Sequence, residues 1–470
     1  MVHLQYDIAC CISVLLIYLC LAKANYELFQ VNKTDVCEII KDLIDTRFKK
    51  LRFKVSYIVY VLSFFIYSGI DWEPQWAKNI KFGQVSAVSV DPSGNIGIFH
   101  RGSRVWGSTT FNMQNIFNKE EGPIQENTVI LLDKSGEKLL EWGAHKFYLP
   151  HGLTIDMHGN YWITDVALHQ VLKFDAKDIE MMKDLPSLRK RQYNQEKHLR
   201  PSLILGEAFV PGNDDKRFCK PTAVAVENNG DFFVSDGYCN ARILKFNAKG
   251  ERILYWGRGS IYGQTPLQNT FNVPHALALA SDMNLLFVAD RENGRIASFY
   301  ASNGTFYRNY KSLNIIGPLI YSVAYAKGRI YVINGPVSRY NIRVQGFVLD
   351  VKTGVILFQF SPGQDMDSPH DIAISQNASE IYVVELNKNI TYKFSQRTLI
   401  DTLTPFARSL LENMNGPVTT QKIVITIVVI IAIILGFCMI ALAAILKPEE
   451  KGGRTYEYKL SEAEMSKLFD

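Results

Sequence analysis

Several features that mark specialised classes of protein are scarce in this 470-residue sequence. Glycine and proline, with 31 and 17 residues, make up only about a tenth of the chain, which excludes collagen-like and low-complexity proteins. Charged residues are 21% of the chain and hydrophobic residues 47%, which excludes a mostly disordered protein. The net charge of +5 is small for this length and gives no indication of nucleic acid as a partner. What remains is enough apolar sequence for a large core in one to three domains.

One long uncharged segment, residues 423–446, is suited to crossing a membrane. As a helix it would be about 36 Å long, which exceeds the thickness of the hydrocarbon layer. Lys447, Lys451 and Arg454 follow the segment, whereas Lys422 alone precedes it, so the end of the chain is expected in the cytosol. We therefore predict a stalk at 401–422, one transmembrane helix at 423–446 and a cytosolic tail at 447–470, with a buried soluble helix as the alternative.

Two shorter apolar runs lie near the N-terminus, at residues 8–22 and 55–70. The first precedes a sequence that resembles a cleavage site but has no basic residue before it. The second follows the basic segment 47–54 and is the better signal or signal-anchor pattern. Either one run is used, or Met1 lies outside with the basic segment inside. We assign residues 1–70 as a signal or signal-anchor region and expect residues 71–422 in the lumen or outside the cell.

Cysteine is rare in the main body of the chain. Of seven cysteines, only Cys219 and Cys239 lie there, an even count suited to one disulfide in an oxidising compartment. Two unpaired buried thiols are the alternative. Three sites of the form Asn-X-Ser/Thr are candidate glycosylation acceptors and agree with that compartment: Asn303, Asn377 and Asn389.

The body of the chain repeats one pattern. Each copy has a short alternating strand, a turn, a strand ending near Asp or Glu, a bend and a third strand. Four clear copies begin at Pro150, Pro221, Pro274 and Pro369, and two weaker ones at Val85 and Tyr321. Six units of about 40–50 residues with several strands each are typical of β-propeller blades. The sequence therefore predicts an all-β fold, a six-bladed β-propeller of NHL-type repeats over residues 71–400, with residues 176–200 as a surface insertion.

Histidine recurs at the start of strand one in alternate blades, where that strand lines the central channel. Blades two, four and six carry Pro-His there, with His151, His275 and His370. The other blades have near that position Ser86, Thr222 and Ser322. Three imidazoles spaced about 120° around one axis, with a fourth position open, are the geometry of a catalytic zinc site. The alternative is a residue preference at strand starts, with each ring bonded to a backbone carbonyl.

The ends of strand two lie on the same face as the starts of strand one, and they supply further polar groups. The sequences at these strand ends are His100-Arg101 in blade one, Asp236-Gly237-Tyr238 in blade three and Asp290-Arg291 in blade four. Arginine binds carboxylates through two parallel hydrogen bonds, so a small anionic substrate or product is indicated. A nearby cation would stabilise a Tyr238 phenolate, which could act as a base. Rim salt bridges with neighbouring blades are the alternative for the arginines.

At these residues the chain resembles the peptidyl-α-hydroxyglycine α-amidating lyase family, from about residue 83 to 394. The likeness is densest at IFHRG (98–102), FYLPHGL (147–153), VSDGYCN (234–240), ADRENGRI (289–296) and PHDI (369–372). The family is a six-bladed propeller that cleaves peptides ending in α-hydroxyglycine into the C-terminally amidated peptide and glyoxylate. The resemblance implies this lyase activity in the maturation of neuropeptides and peptide hormones, in the secretory granule or at the cell-surface membrane.

The resemblance also implies roles for individual residues. It assigns the zinc ligands to His151, His275 and His370, and a structural calcium to Val88, Leu153 and Asp371. Tyr238 matches the catalytic tyrosine, which would take the proton of a hydroxyl group acidified by zinc. Arg101 and Arg291 match the arginines that hold the substrate carboxylate and the developing negative charge.

Three departures from the family are visible. Ser368 stands where the family usually has Met, two residues before the last histidine. A second family disulfide is absent, because Phe287 and Ser298 occupy the matching positions. Residues 1–82 are too few for the copper monooxygenase half of the bifunctional enzymes, so a separate copper-dependent peptidylglycine hydroxylase is expected to supply the substrate.

Two other classes of propeller are compatible with the repeat. A non-enzymatic NHL-type binding platform would present a broad basic or apolar face and gives no reason for histidine in alternate blades. A calcium-dependent lactonase or esterase would favour Asp, Asn and Glu in the channel. Metal content would distinguish the three classes.

Overall fold

The computed structural model describes residues 67–183, 199–261, 263–337 and 341–398. These residues form six four-stranded antiparallel sheets, which confirms the predicted six blades. The first strands of consecutive blades contact one another, and the first strand of blade six contacts that of blade one. The blades therefore close into a ring around a channel lined by their first strands.

Each blade has four strands, numbered here outward from the channel. Blade one has Val85–Val90, Ile96–His100, Val129–Leu132 and Lys138–Trp142. Blade two has Pro150–Ile155, Tyr161–Asp165, Gln170–Phe174 and Leu203–Leu205. Blade three has Pro221–Val226, Phe232–Asp236, Arg242–Phe246 and Arg252–Trp256.

The second half of the ring is built in the same way. Blade four has Pro274–Ala280, Leu285–Asp290, Arg295–Tyr300 and Phe306–Tyr310. Blade five has Ile320–Ala326, Arg329–Asn334, Gly346–Asp350 and Ile356–Phe360. Blade six has Pro369–Ile374, Glu380–Glu385, Ile390–Thr398 and, as its outer strand, Tyr67–Trp72. A short parallel pair, Arg258–Gly259 with Thr270–Phe271, joins blades three and four.

The outer strand of blade six comes from the opposite end of the described chain. Tyr67–Trp72 pairs with Ile390–Thr398, so the two ends of the ring are joined by backbone hydrogen bonds. The strand begins four residues before the predicted boundary at residue 71, inside the apolar run 55–70. Apolar residues at a strand start and at the end of an anchor segment look alike in sequence, which explains the difference.

The insertion after blade two is not entirely a surface feature. Ala176–Lys183 is an α-helix, with short 3-10 helices elsewhere at Lys119–Glu121, Ser281–Met283 and Arg291–Asn293. Ile179 and Met182 on the α-helix are buried in the same cluster as Trp142 and Phe174. The prediction of a purely surface insertion is therefore wrong for residues 176–183, because one helix face covers the apolar side of blades one and two.

Buried polar side chains at the end of strand two hold the segments that lead into strand one. In blade two, Asp165 accepts backbone hydrogen bonds from Tyr148 and Leu149, just before His151. The same contact recurs in blades three, four and six, through Asp236, Asp290 and Glu385. These carboxylates explain the acidic residue in the four clear repeats, since they fix the backbone that carries the channel side chains.

No helix within the described residues is long and apolar enough to span a membrane. The predicted signal or anchor region up to residue 66, the stalk 401–422, the transmembrane helix 423–446 and the tail 447–470 lie outside the described residues.

Candidate active site

The three predicted histidines meet in the channel. The ring centroids of His151, His275 and His370 are 4.7–4.9 Å apart, and each side chain is at most 3% exposed. One nitrogen from each ring lies within 4.8 Å of the other two, close enough for all three to hold one metal ion. The alternate-blade pattern in the sequence therefore does produce a buried cluster of imidazoles.

Each imidazole is oriented by a backbone carbonyl of the next blade. The Nδ1 atoms of His151, His275 and His370 lie 2.8, 2.7 and 2.6 Å from the carbonyl oxygens of Thr222, Tyr321 and Ser86. A carbonyl only accepts, so each Nδ1 carries the proton and each Nε2 keeps its lone pair. From the sequence, a bond from each ring to a backbone carbonyl was the alternative to a metal site. These bonds are present, and bonds of this kind also orient metal-ligating histidines.

Burial keeps these rings neutral. Desolvation lowers the pKa of His370 to about 3 and lowers those of His151 and His275 well below the ordinary value. Repulsion between the rings and from Arg101 and Arg291 acts in the same direction. Neutral imidazoles whose Nε2 atoms are unprotonated are the form in which histidine binds metals.

Tyr238 adjoins the histidine cluster directly. Its hydroxyl oxygen lies 3.0 Å from Nε2 of His151 and 3.1 Å from Nε2 of His275, and Arg291 Nη1 donates to it over 3.4 Å. Desolvation raises the pKa of the Tyr238 phenol, whereas the charges of Arg291 and Arg101 oppose that shift. The pKa of the phenol is therefore raised overall, and the two guanidiniums lessen the shift.

Arg101 is buried with an unused donor. Its Nε donates to the Pro150 carbonyl at 3.0 Å and its Nη1 to Gln84 at 2.9 Å. Its Nη2 is buried and has no hydrogen-bond partner among the described residues. An unpaired buried donor costs about 1–3 kcal/mol, so this atom is suited to a ligand that brings an acceptor. The rim salt bridge considered for Arg101 is not found among the described residues.

Arg291 is held between two aromatic rings. Its guanidinium lies 5.3 Å from the ring centroid of Tyr238 and 5.2 Å from that of Tyr321, and it pairs with the adjacent Glu292 at 2.9 Å. Cation–π contacts on both sides restrict the guanidinium to the edge of the site. Glu292 belongs to the same blade, so the salt bridge to a neighbouring blade that was the alternative for Arg291 is not found among the described residues.

Two aromatic residues of the site were missed from the sequence. Tyr321, not Ser322, occupies the blade-five position equivalent to the histidines, because Ile320 pairs with Asn334 as Pro274 pairs with Asp290. Its ring lies 5.7 Å from that of His275, whereas Ser322 donates to Asp371. Blade five lacks the proline that marks the register in blades two, three, four and six, and the strand pairing supplies the missing signal.

Trp106 is the second missed residue. Its ring centroid lies 4.9 Å from that of Tyr238, and the Arg101 guanidinium lies 5.3 Å from the indole. It comes from the long loop between strands two and three of blade one, which has no repeating pattern by which it could be aligned.

The disulfide Cys219–Cys239 is formed, which confirms the predicted pairing. Cys239 follows Tyr238 directly, and the Cys219 backbone N–H donates to Asp236 at 2.8 Å. The bond thus ties the loop that carries the phenol to the lead-in of strand one of blade three. A disulfide of this kind indicates a protein of the secretory pathway.

Replacing both Cys219 and Cys239 by serine should lower the free energy of unfolding by about 3 kcal/mol, because the bond closes a loop with a sequence separation of 20. Turnover should fall several-fold as the Tyr238 loop loses its tether. Denaturant unfolding and a steady-state assay below the unfolding transition measure the two effects. Unchanged turnover in the folded variant would show that the disulfide does not position the phenol.

The three predicted calcium residues lie deeper along the same channel. Val88, Leu153 and Asp371 line a cavity of about 240 Å³ together with the three histidines. Asp371 accepts a hydrogen bond from the Val88 N–H at 3.1 Å and from the Ser322 hydroxyl at 2.7 Å, and burial raises its pKa to about 6. The three residues thus line one cavity, and Val88 is hydrogen-bonded to the Asp371 carboxylate.

The remaining predicted positions are peripheral. Asn303, Asn377 and Asn389 are exposed at turns between strands, where acceptor sites would be accessible. Phe287 and Ser298 pair across strands two and three of blade four. They occupy the two positions that match the family's second disulfide. Ser368 is half-buried, and its hydroxyl accepts from Asn387 at 3.3 Å.

The sequence of this chain is similar to those of known proteins. Residues 218–246 match the NHL repeat family. Peptidyl-alpha-hydroxyglycine alpha-amidating lyase 1 of Drosophila melanogaster is 44% identical over 338 residues, which cover 69% of this chain and 59% of that protein. Lyase 2 of the same organism is 40% identical over 317 residues, 66% of this chain and 70% of that protein.

The match also extends to a longer protein. The peptidyl-glycine alpha-amidating monooxygenase of Mus musculus is 40% identical over 342 residues, 69% of this chain but only 33% of that protein. The chain therefore spans a third to about 60% of the length of most of these relatives and 70% of lyase 2. With its six blades and its histidine cluster, the chain belongs to the peptidyl-α-hydroxyglycine α-amidating lyase family.

Proposed function

We propose that this chain is a lyase that cleaves peptides ending in α-hydroxyglycine into the amidated peptide and glyoxylate. The observation that carries the proposal is the convergence of three Nε2 lone pairs, one phenol and an unpaired buried arginine donor in a single site. A hydroxyl next to a carboxylate, as in hydroxyglycine, offers groups that match each of these. A binding platform would give no reason for an arginine donor buried without a partner.

The histidines suit a zinc ion. His151, His275 and His370 would supply three neutral nitrogen ligands and leave a position open, as in catalytic zinc sites. When bound, zinc supplies Lewis acidity that lowers the pKa of a coordinated hydroxyl. Deeper in the channel, the Asp371 carboxylate with the Val88 and Leu153 backbone would hold a structural calcium, since calcium prefers oxygen ligands.

Tyr238 would take the proton of the substrate hydroxyl group. Its hydroxyl oxygen lies within 3.1 Å of two of the imidazole nitrogens, so a hydroxyl group placed at the cluster would be within reach of the phenol. As the proton leaves, the oxygen's electron pair forms the aldehyde C=O and the C–N bond breaks toward nitrogen. The amide nitrogen then takes up a proton, which completes the carboxamide. No redox partner is needed, because the reaction is an elimination.

The two arginines would bind the carboxylate. Arg101 Nη2 has no acceptor among the described residues, and the Arg291 guanidinium lies 5.3 Å from the Tyr238 ring centroid. A carboxylate held between them would pair the buried guanidinium and fix the orientation of the terminal residue. The same charges would stabilise a Tyr238 phenolate in the low-dielectric channel.

The cellular setting follows from the same chemistry. The substrate is a hydroxylated glycine, so a copper-dependent peptidylglycine hydroxylase would act before the lyase step. We propose that residues 423–446 anchor the protein by a single pass, with a glycosylated propeller in the lumen of the secretory granule or at the cell surface. We propose no nucleic acid partner for this protein.

A direct assay tests the function. The purified protein is incubated at neutral pH with a peptide ending in α-hydroxyglycine, and glyoxylate is measured against a sample without protein. We expect release that stops when a chelator removes the metal and returns when zinc is restored. Glyoxylate formation no faster than in buffer would reject the lyase, and a reaction restored by calcium alone would favour an oxygen-ligated hydrolase.

A further inference from the structure

A second cavity lies on the same face as the site. It has a volume of about 590 Å³ and runs between residues 109–120 of the blade-one loop and residues 208–210. Phe117 and Phe209 form its apolar floor, and Ile116, which is 40% exposed, stands at its wall. Asn112, Asn118, Lys119 and Glu120 contribute polar and charged groups to its lining. We call this cavity the groove.

The groove is continuous with the site through aromatic contacts. Tyr238 contacts Trp106 at 4.9 Å, Trp106 contacts Phe111 at 5.5 Å, and Phe111 contacts Phe117 at 6.1 Å between ring centroids. Tyr238, Trp106, Phe117 and Phe209 belong to one apolar cluster. A ligand that leaves the histidine cluster past Tyr238 therefore meets an apolar path to the groove.

The loop that forms the groove is anchored to blades two and three. The Lys220 ammonium donates to the Asn115 side chain at 2.9 Å and lies 3.9 Å from the Phe111 ring centroid. His169 accepts from the Lys220 N–H through Nδ1, so its protonated Nε2 donates to the Asn115 carbonyl at 3.0 Å. Lys220 is 8% exposed and has no carboxylate partner among the described residues. These buried contacts hold the groove in a preformed shape.

We propose that the groove binds the part of the substrate peptide upstream of the terminal hydroxyglycine, with an apolar side chain against Phe117 and Phe209. The inference rests on the proposed lyase function. An extended peptide advances about 3.3–3.6 Å per residue, so roughly three to five residues lead from Tyr238 to the groove. An apolar floor with a few polar groups at the edge is typical of sites that bind a side chain and fix the adjacent backbone.

The test compares a long with a minimal substrate in the full chain. The long substrate is a six-residue peptide ending in α-hydroxyglycine with phenylalanine four residues upstream, and the minimal one is an acetyl-capped α-hydroxyglycine. Ile116→Asp places a charge at the groove wall and should lower kcat/KM for the long substrate about tenfold, mainly through KM. It should change kcat/KM for the minimal substrate less than about twofold.

Met113→Asp is the matched control. Met113 lies in the same loop, is 94% exposed and does not line the groove, so this variant should leave both substrates unaffected. A second comparison needs no variant: exchanging the upstream phenylalanine for aspartate should raise KM of the unmodified protein by a similar factor.

The outcomes separate the groove from the lyase chemistry. Equal kcat/KM for the long, minimal and aspartate-containing substrates, with no selective loss in Ile116→Asp, would overturn the groove while leaving the lyase function intact. Loss of activity on the minimal substrate alone would likewise contradict a role in peptide binding. Absence of glyoxylate from every substrate would instead reject the proposed function on which the inference rests.

Discussion

Replacing Tyr238 by phenylalanine should lower kcat by on the order of a hundredfold or more while the propeller stays folded. The hydroxyl lies 3.0 and 3.1 Å from two of the imidazole nitrogens, and in this account it removes the substrate proton. Phenylalanine keeps the ring that packs against Trp106 at 4.9 Å, so the loss isolates the hydroxyl. KM should change little, because the arginines that bind the carboxylate remain.

A steady-state glyoxylate assay with a thermal unfolding curve measures this prediction. Tyr255→Phe is the matched control, since Tyr255 is 58% exposed on the outer strand of the same blade and should give unmodified kinetics. Near-normal kcat in Tyr238→Phe would remove the phenol from the mechanism and leave proton transfer to another group.

Replacing His275 by alanine should reduce turnover by more than about a hundredfold. Loss of a group that merely orients a metal ligand typically costs about 10–100-fold, and loss of the ligand itself should cost more. His275 provides one of three Nε2 lone pairs, and its Nδ1 contact with the Tyr321 carbonyl would also be lost. Added zinc should not restore the rate, because two imidazoles hold the ion too weakly.

His158→Ala is the control for this variant. His158 is exposed at the turn between the first two strands of blade two, and its ring lies 3.3 Å from the Asn228 carbonyl. Its removal should leave turnover and zinc content unchanged. If His275→Ala kept most of its turnover, the three imidazoles would be a structural cluster and not part of the reaction centre.

Alternate blades of the propeller contribute different groups to the histidine cluster. Blades two, four and six present the imidazoles, while blades one, three and five provide the carbonyl oxygens of Ser86, Thr222 and Tyr321 that orient them. Six blades thus give a threefold arrangement in which each imidazole has its own carbonyl acceptor. The buried carboxylates at the ends of strand two hold the same backbone segments in place.

The parts of this arrangement that repeat could be predicted from the sequence. Pro-His at the start of strand one and an acid at the end of strand two recur at fixed spacing, so fold and phase together place His151, His275 and His370 in the channel. Tyr238 and Arg291 follow because the end of strand two lies on the same face. The disulfide followed from the rarity of cysteine in the body of the chain.

The parts that do not repeat could not be predicted. Tyr321 was missed because blade five lacks the proline that marks the first strand in blades two, three, four and six, which shifted its alignment by one position. The strand Tyr67–Trp72 lies in an apolar run that looks like a membrane segment, and its partner is more than 300 residues away. Trp106 and the groove depend on a loop whose position is set by Lys220 and His169, contacts between residues about 50–100 positions apart.

The metal content of the purified protein tests the central claim most directly. Elemental analysis after exhaustive dialysis should give about one zinc per chain, and His275→Ala, folded by its thermal unfolding curve, should bind almost none. An active wild-type protein without zinc, or a His275→Ala variant that retains the full zinc content, would contradict the account.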